Sequence, residues 1–147
     1  MRDLILLCFS ALAFAKITVQ SPNEMKSLFS SQNSSLTTSY ANFGIIPYGH
    51  SIKGRIYYDP TNPLGCEHFG DFDFSFNSKK SEVIPIILVK RGECSFVKKI
   101  WNIERVGGKV GIVVDDKIED VQYVIMSDDG TGSGIRIPSM LVGRSDG

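Results

Sequence analysis

The chain has 147 residues, 42% of them apolar, and its 16 basic and 16 acidic side chains cancel to a net charge of zero. That length builds a single hydrophobic core, so one domain is expected. A neutral chain projects no field that would draw it onto nucleic acid or an anionic membrane surface, and both partner classes are set aside.

The first element is an export signal. Arg2 precedes the apolar run from Leu4 to Phe14, and Ala13-Phe14-Ala15 has the small-x-small form of a cleavage site. The run is too short to cross a bilayer, which takes about 20 apolar residues. Residues 1–15 therefore read as a signal peptide and 16–147 as the mature domain. The sequon Asn33-Ser34-Ser35 offers Asn33 for N-glycosylation, consistent with an exported surface.

Ile17-Thr18-Val19 alternates like an edge strand, and Ser21-Pro22-Asn23-Glu24 is a turn or helix start. Serine, threonine and asparagine dominate residues 30–39, which read as a loop. From Ser51 to Tyr58, Ile52, Gly54, Ile56 and Tyr58 alternate with Lys53, Arg55 and Tyr57, the pattern of a half-buried strand. A proline-rich loop leads to Cys66, and the aromatics Phe69, Phe72, Phe74 and Phe76 are most simply core.

The second half is more regular. Ile84–Val89 is a buried strand that stops at Lys90-Arg91-Gly92. A helix follows from Cys94 to Val106, with Phe96, Ile100, Ile103 and Val106 on one face, and Gly107-Gly108 ends it. Lys109–Val114 is a second buried strand, so the three elements form a βαβ unit with a parallel strand pair. Val121–Met126 is a further expected strand, Ser127–Gly134 a loop, and Ile135–Val142 the last strand, with Pro138 confining it to an edge or a strand start. The first half looks antiparallel, and the sum is a mixed α+β domain. Gly147 falls where another helix is expected, so the C-terminal end reads as truncated.

Removal of the signal takes Cys8 and leaves Cys66 and Cys94. Two cysteines in an oxidising compartment are expected to be bridged. A metal site on Cys66, His68 and Asp71 is the alternative, but it lacks the paired C-x-x-C or H-x-x-x-H spacing that zinc favours. The bridge would stabilise the fold by about 3–4 kcal/mol in the chain-entropy model. His50 and His68 lie in loops with no G-x-S-x-G or H-E-x-x-H beside them, so no catalytic residue is assigned. The Asp128–Gly134 loop carries neither the Gly-Lys-Ser/Thr of a phosphate loop nor the closing glutamate of a calcium loop, so no metal or cofactor is assigned there.

Several stretches together carry a resemblance. They are Ile86-Ile-Leu-Val-Lys-Arg-Gly-Glu-Cys-Ser-Phe96, the helix with Lys98, Lys99 and Trp101, Gly107-Gly-Lys-Val-Gly-Ile-Val-Val-Asp115, and Ile137-Pro-Ser-Met-Leu141. Their order resembles the protease-associated (PA) domain. More narrowly, Ile17–Pro22, Asn42-Phe43-Gly44, Pro47-Tyr48-Gly49, and Cys66 followed by Asp71–Phe76 are similar to the PA domain of plant-type vacuolar sorting receptors. Those receptors carry one more cysteine before the Asn-Phe-Gly motif, which has no counterpart between Ser21 and Asn42. Their EGF-like repeats and membrane span are not in this chain either.

The resemblance implies a mixed β-barrel or sandwich with flanking helices. It also implies a non-enzymatic module that binds an extended cargo peptide or protein in the secretory-pathway lumen (Golgi, endosome or vacuole), either secreted or joined to the membrane through a segment absent here. The implied site is the disulfide-braced turn with Arg91 and Gly92, the loop residues Asp128, Asp129, Gly130 and Thr131, and a third wall at Ser21–Glu24 that includes Glu24. The alternative is that Arg91 merely pairs with a local acid such as Glu93 or Asp128 and that the loop is a plain flexible connector. An accessory PA domain of a secreted peptidase, or the ectodomain of a membrane RING ubiquitin ligase, is the alternative role.

Overall fold

A computed structural model describes residues 15–20, 22–24, 35–70 and 84–147. Six strands form one sheet in the order β1-β2-β6-β5-β4-β3. They are β1 (Ala15–Thr18), β2 (Ser35–Tyr40), β3 (Gly54–Tyr58), β4 (Ile84–Lys90), β5 (Val110–Val114) and β6 (Ser139–Val142), and helix α1 (Phe96–Arg105) connects β4 to β5. β1 pairs antiparallel with β2, and β2 with β6, while β6, β5, β4 and β3 run parallel. The domain is α+β with the expected βαβ unit at its centre.

Helix α1 starts and stops for local reasons. The Ser95 hydroxyl caps it by accepting from the Lys98 amide at 3.2 Å. At the other end Gly107 takes φ 100°, the Gly107 amide donates to the Glu104 carbonyl at 3.0 Å, and the Gly108 amide donates to the Ile103 carbonyl at 2.9 Å. This is the paired closure that favours glycine after a helix. Val97, Ile100 and Ile103 are fully buried against Ile87 and Val89 of β4 and Val113 of β5, with Phe43, Phe69, Met126 and Leu141 completing that core. The opposite sheet face packs Val110, Ile112, Val114 and Val142 with Ile86, Leu88 and Met140. β5 is buried along its whole length because side chains cover it on both faces, which is why its sequence Val-Gly-Ile-Val-Val shows no alternation.

Four expectations change. The Ser/Thr-rich stretch is not all loop: β2 occupies its end, paired on both sides, with Leu36 and Thr38 buried. The 121–126 segment is not a strand. The Asp120 carboxylate accepts the Gln122 amide at 3.0 Å and winds Val121–Tyr123 into a 3-10 turn, leaving only a single bridge between Met126 and Ala41. β3 starts at Gly54 rather than Ser51, and its faces carry the reverse burden: Tyr57 packs on the core while Ile56 and Tyr58 remain 47% and 42% exposed. Finally, β6 begins only after Pro138, at Ser139, so the proline marks a strand start inside the sheet.

β1 lies at one sheet edge, as the alternation suggested, and its Ala15 sits opposite Thr38. Asn23 and Glu24 have helical backbone and are exposed. The signal segment 1–14, Ser21, the sequon at Asn33 and residues 71–83, including Asp71, Phe72, Phe74 and Phe76, lie outside the described residues.

Candidate functional site

The site grows from the end of β4. Register places Lys90 beside Val114, so the next residue on each strand, Arg91 and Asp115, project from the same end of the sheet. Arg91 Nη1 donates to Asp115 Oδ1 and to Glu119 Oε1, each at 2.9 Å, and its Nε lies 3.5 Å from Asp116 Oδ1. The guanidinium also stacks 5.5 Å from the Phe96 ring centroid. Burial pushes the Asp115 carboxyl up, but the Lys117 amide and Arg91 outweigh it and hold the group below its usual range. The partners of Arg91 are thus Asp115, Asp116 and Glu119, rather than Glu93 or Asp128.

Gly92, at φ 124°, and Glu93, at φ 60°, turn the chain sharply, and the Cys94 amide closes back onto the Gly92 carbonyl at 2.8 Å. Cys94 is bonded to Cys66 with an S–S distance of 2.06 Å. The two sulfurs hold each other, which answers the choice between bridge and metal at this position. Among the described residues no cluster of three His, Cys, Asp or Glu side chains is placed to hold a metal ion.

Two polar side chains of α1 point inward beneath this turn, and neither was marked by the sequence reading as part of a site. Lys99 is fully buried, and its Nζ donates to the Leu64 and Gly92 carbonyls at 2.7 Å each and lies 3.4 Å from Cys66 Sγ. Asn102 donates to the Gly65 carbonyl at 2.9 Å. Burial pushes the Lys99 ammonium down to about 8, with Glu93 and Asp116 offsetting part of that effect. The signal that could have found them is their spacing: Lys99 and Asn102 are three residues apart, flanking Ile100 and Ile103 on the buried side of the helix.

The 128–134 loop is internally bonded. Asp128 Oδ1 accepts the Gly130 and Gly132 amides at 2.8 Å each, and Asp129 Oδ1 accepts the Thr131 amide at 3.0 Å. The loop is tied to the rest of the domain from two sides. Asn42 Oδ1 accepts the Asp128 amide at 2.7 Å, and Trp101 lies against Gly134 and reaches toward the Thr131 carbonyl. The Ser95 hydroxyl and then Thr131 hold the Asp129 carboxyl below its usual range, which places the loop beside the N-cap of α1. Arg91 and Gly92 thus precede α1 and pack on Phe96 and Lys99, whereas the 128–131 loop meets the same helix at Trp101. Glu24 is exposed.

Residues 52–147 match the family model described as the PA domain. Vacuolar-sorting receptor 2 of Arabidopsis thaliana is 38% identical over 111 residues, covering 72% of this chain and 18% of its own length. Vacuolar-sorting receptor 1 of Pisum sativum is 34% identical over 136 residues, covering 89% of this chain and 20% of its own. A receptor homology region, transmembrane domain- and RING domain-containing protein of Arabidopsis thaliana is 32% identical over 146 residues, 98% of this chain and 41% of that protein. The chain thus spans about a fifth of the receptor relatives' length. No helix among the described residues is long and apolar enough to cross a membrane. The chain belongs to the PA domain family.

Proposed function

We propose that this domain is a non-enzymatic module that holds an extended segment of a cargo protein in the lumen of the secretory pathway, as part of a vacuolar sorting receptor-like membrane protein. The observation that carries this reading is that one helix supports both segments: the Arg91–Cys94 turn runs directly into α1 at Ser95, and Trp101 of α1 lies against the 128–134 loop. Both segments are braced, the turn by the disulfide and Lys99 and the loop by its own aspartates, and an extended peptide is recognised mainly through its main chain. Gly92 and the 128–131 loop would contact the segment, Glu24 would supply the third wall, and Arg91 would fix the turn through its carboxylate partners. Residues 1–15 would be removed on export; Lys16–Thr18 would then still pair with β2.

The test is selection from a random displayed-peptide library on the secreted chain, followed by calorimetry of the enriched peptides. Asp129→Ala and Thr131→Ala should each weaken binding about tenfold, equivalent to about 1.4 kcal/mol. Failure to enrich any peptide, or unchanged affinity in both variants, would overturn the site.

A second reading is the lumenal ectodomain of a membrane RING ubiquitin ligase, favoured by the match to the RING-containing relative over 98% of this chain. Sequencing the transcript past the Gly147 codon separates the two. Cysteine-dense repeats before a membrane span indicate a receptor, and a span followed by paired Cys/His spacing indicates a ligase.

A further inference from the structure

The two halves of the disulfide have unequal surroundings. Lys99 Nζ lies 3.4 Å from Cys66 Sγ, and the same group is anchored by the Leu64 and Gly92 carbonyls. Because Lys99 is fully buried, water does little to screen its charge, and it cannot swing away without abandoning both carbonyls. Cys94 is preceded by the exposed Glu93 and followed by the start of α1. The Ser95 hydroxyl already takes the Lys98 amide there, and the partial charge of a helix end is weak beside a whole ammonium in contact with a sulfur. A cation against one sulfur lowers the pKa of that thiol and makes it the better leaving group in exchange. Both cysteines are partly exposed.

We propose that Cys66–Cys94 is a directional thiol-exchange site, at which a low-molecular-weight thiolate attacks Cys94 Sγ and Cys66 departs as a thiolate held by Lys99. The bond formed is the mixed disulfide between the incoming sulfur and Cys94, and the bond broken is Cys66–Cys94, with the electron pair leaving on Cys66. Attack of a second thiolate on the mixed disulfide releases Cys94 as a thiolate. It also yields the oxidised dimer of the small thiol, so two electrons pass from two thiols to the protein disulfide. The modified Cys94 adjoins Ser95, and exchange would leave Lys99 as the tie between the 92–94 turn and the 64–66 loop. This inference does not depend on what the domain binds.

The experiment treats the secreted chain with a glutathione redox buffer, quenches with acid after short times, alkylates free thiols with iodoacetamide and maps both groups by mass spectrometry. Glutathione should sit on Cys94 and the alkyl group on Cys66, at least tenfold in excess of the reverse pattern. Equal populations, an excess on Cys66, or no adduct at any glutathione ratio would overturn the proposal. A second measurement follows alkylation rate against pH in Cys94→Ala and Cys66→Ala. Cys66 should titrate at least one pH unit below Cys94, and adding Lys99→Met should abolish that gap. If the Lys99 variant does not fold, the wild-type map and the two single-cysteine titrations still decide, and a more acidic Cys94 refutes the assignment.

Discussion

The Lys99 ammonium and the Gly92 carbonyl oxygen are 2.7 Å apart, so the helix reaches up from below to grip the backbone of the turn that follows β4. The same nitrogen grips Leu64 at 2.7 Å, which makes one buried cation the joint between two loops that the disulfide also connects. A buried acceptor left without a donor costs about 1–3 kcal/mol. Lys99→Met would orphan the Leu64 carbonyl and leave the Gly92 carbonyl with the Cys94 amide alone, but it would also remove a desolvated charge.

The expected net effect of Lys99→Met at neutral pH is a loss of about 2 kcal/mol, read as a fall in Tm of about 5–10 °C. The pH dependence has a definite sign. Burial lowers the folded-state pKa of Lys99 to about 8, whereas an unfolded lysine titrates near about 10.4. Between those values the unfolded chain holds more protons, so this site's contribution to stability rises with pH. The neutral amine keeps two N–H donors for the two carbonyls. Urea denaturation between pH 7.5 and 10 should therefore show an alkaline increment in the wild type that Lys99→Met lacks. Equal slopes, or a variant as stable as wild type at pH 7, would remove Lys99 from this role.

Arg91 is held by carboxylates, so its removal should be felt in stability. Asp115 has no exposed side-chain surface, and Arg91→Ala strips it of its counterion. Breaking a buried pair from one side costs about 3–5 kcal/mol, and the 23% exposure of Arg91 puts the expectation at the low end, about 3 kcal/mol. Arg91→Lys should recover only part of this, since a single ammonium cannot reproduce both the fork and the stacking on Phe96. The folded-state pKa of Asp115 is depressed. Its stabilising contribution is thus present above the ordinary carboxylate range and lost as pH falls through the folded value. In Arg91→Ala the acid-unfolding midpoint should move to higher pH. An unchanged Tm together with an unchanged acid midpoint would show that the carboxylate contacts contribute nothing.

The parts of this fold legible in the sequence are those set by neighbours close in the chain. The β4–α1–β5 unit is announced by a change of periodicity at Arg91-Gly92 and by the glycine pair that closes the helix. β2 escaped because a Ser/Thr-rich strand is defined by its pairing to β1 and β6, the latter about a hundred residues away in the chain. The 121–126 run was apolar enough for a strand, but the carboxylate of Asp120 made a turn of it. The site shows the same division. Its glycines, cysteines and loop aspartates stand out locally. The acids around Arg91 are fixed only by the parallel register of Lys90 with Val114, and Lys99 is a polar residue on a helix whose buried side the apolar periodicity had already filled.

Asn42-Phe43-Gly44 joins the first half of the chain to the candidate site. Asn42 accepts the Asp128 amide, Phe43 is buried in the helix-side core, and Gly44 sits at φ 75° directly against β6's approach. A Cβ on Gly44 would stand 2.5 Å from the Ile137 carbonyl oxygen, a backbone atom with no rotamer to give. Gly49 provides the control, because it has nearly the same φ, 72°, with nothing within 4 Å of the position its Cβ would take. Left-handed backbone alone costs a non-glycine residue about 1–2 kcal/mol, so Gly49→Ala should lose about that much. Gly44→Ala carries the steric clash in addition and should lose about 3 kcal/mol or more. It should also disturb the Asn42–Asp128 contact, exposing the Asp128 amide to faster hydrogen exchange. Matching losses in the two alanine variants by urea denaturation would mean that Ile137 yields freely, and that the close approach does not fix the Asn-Phe-Gly segment beneath the loop.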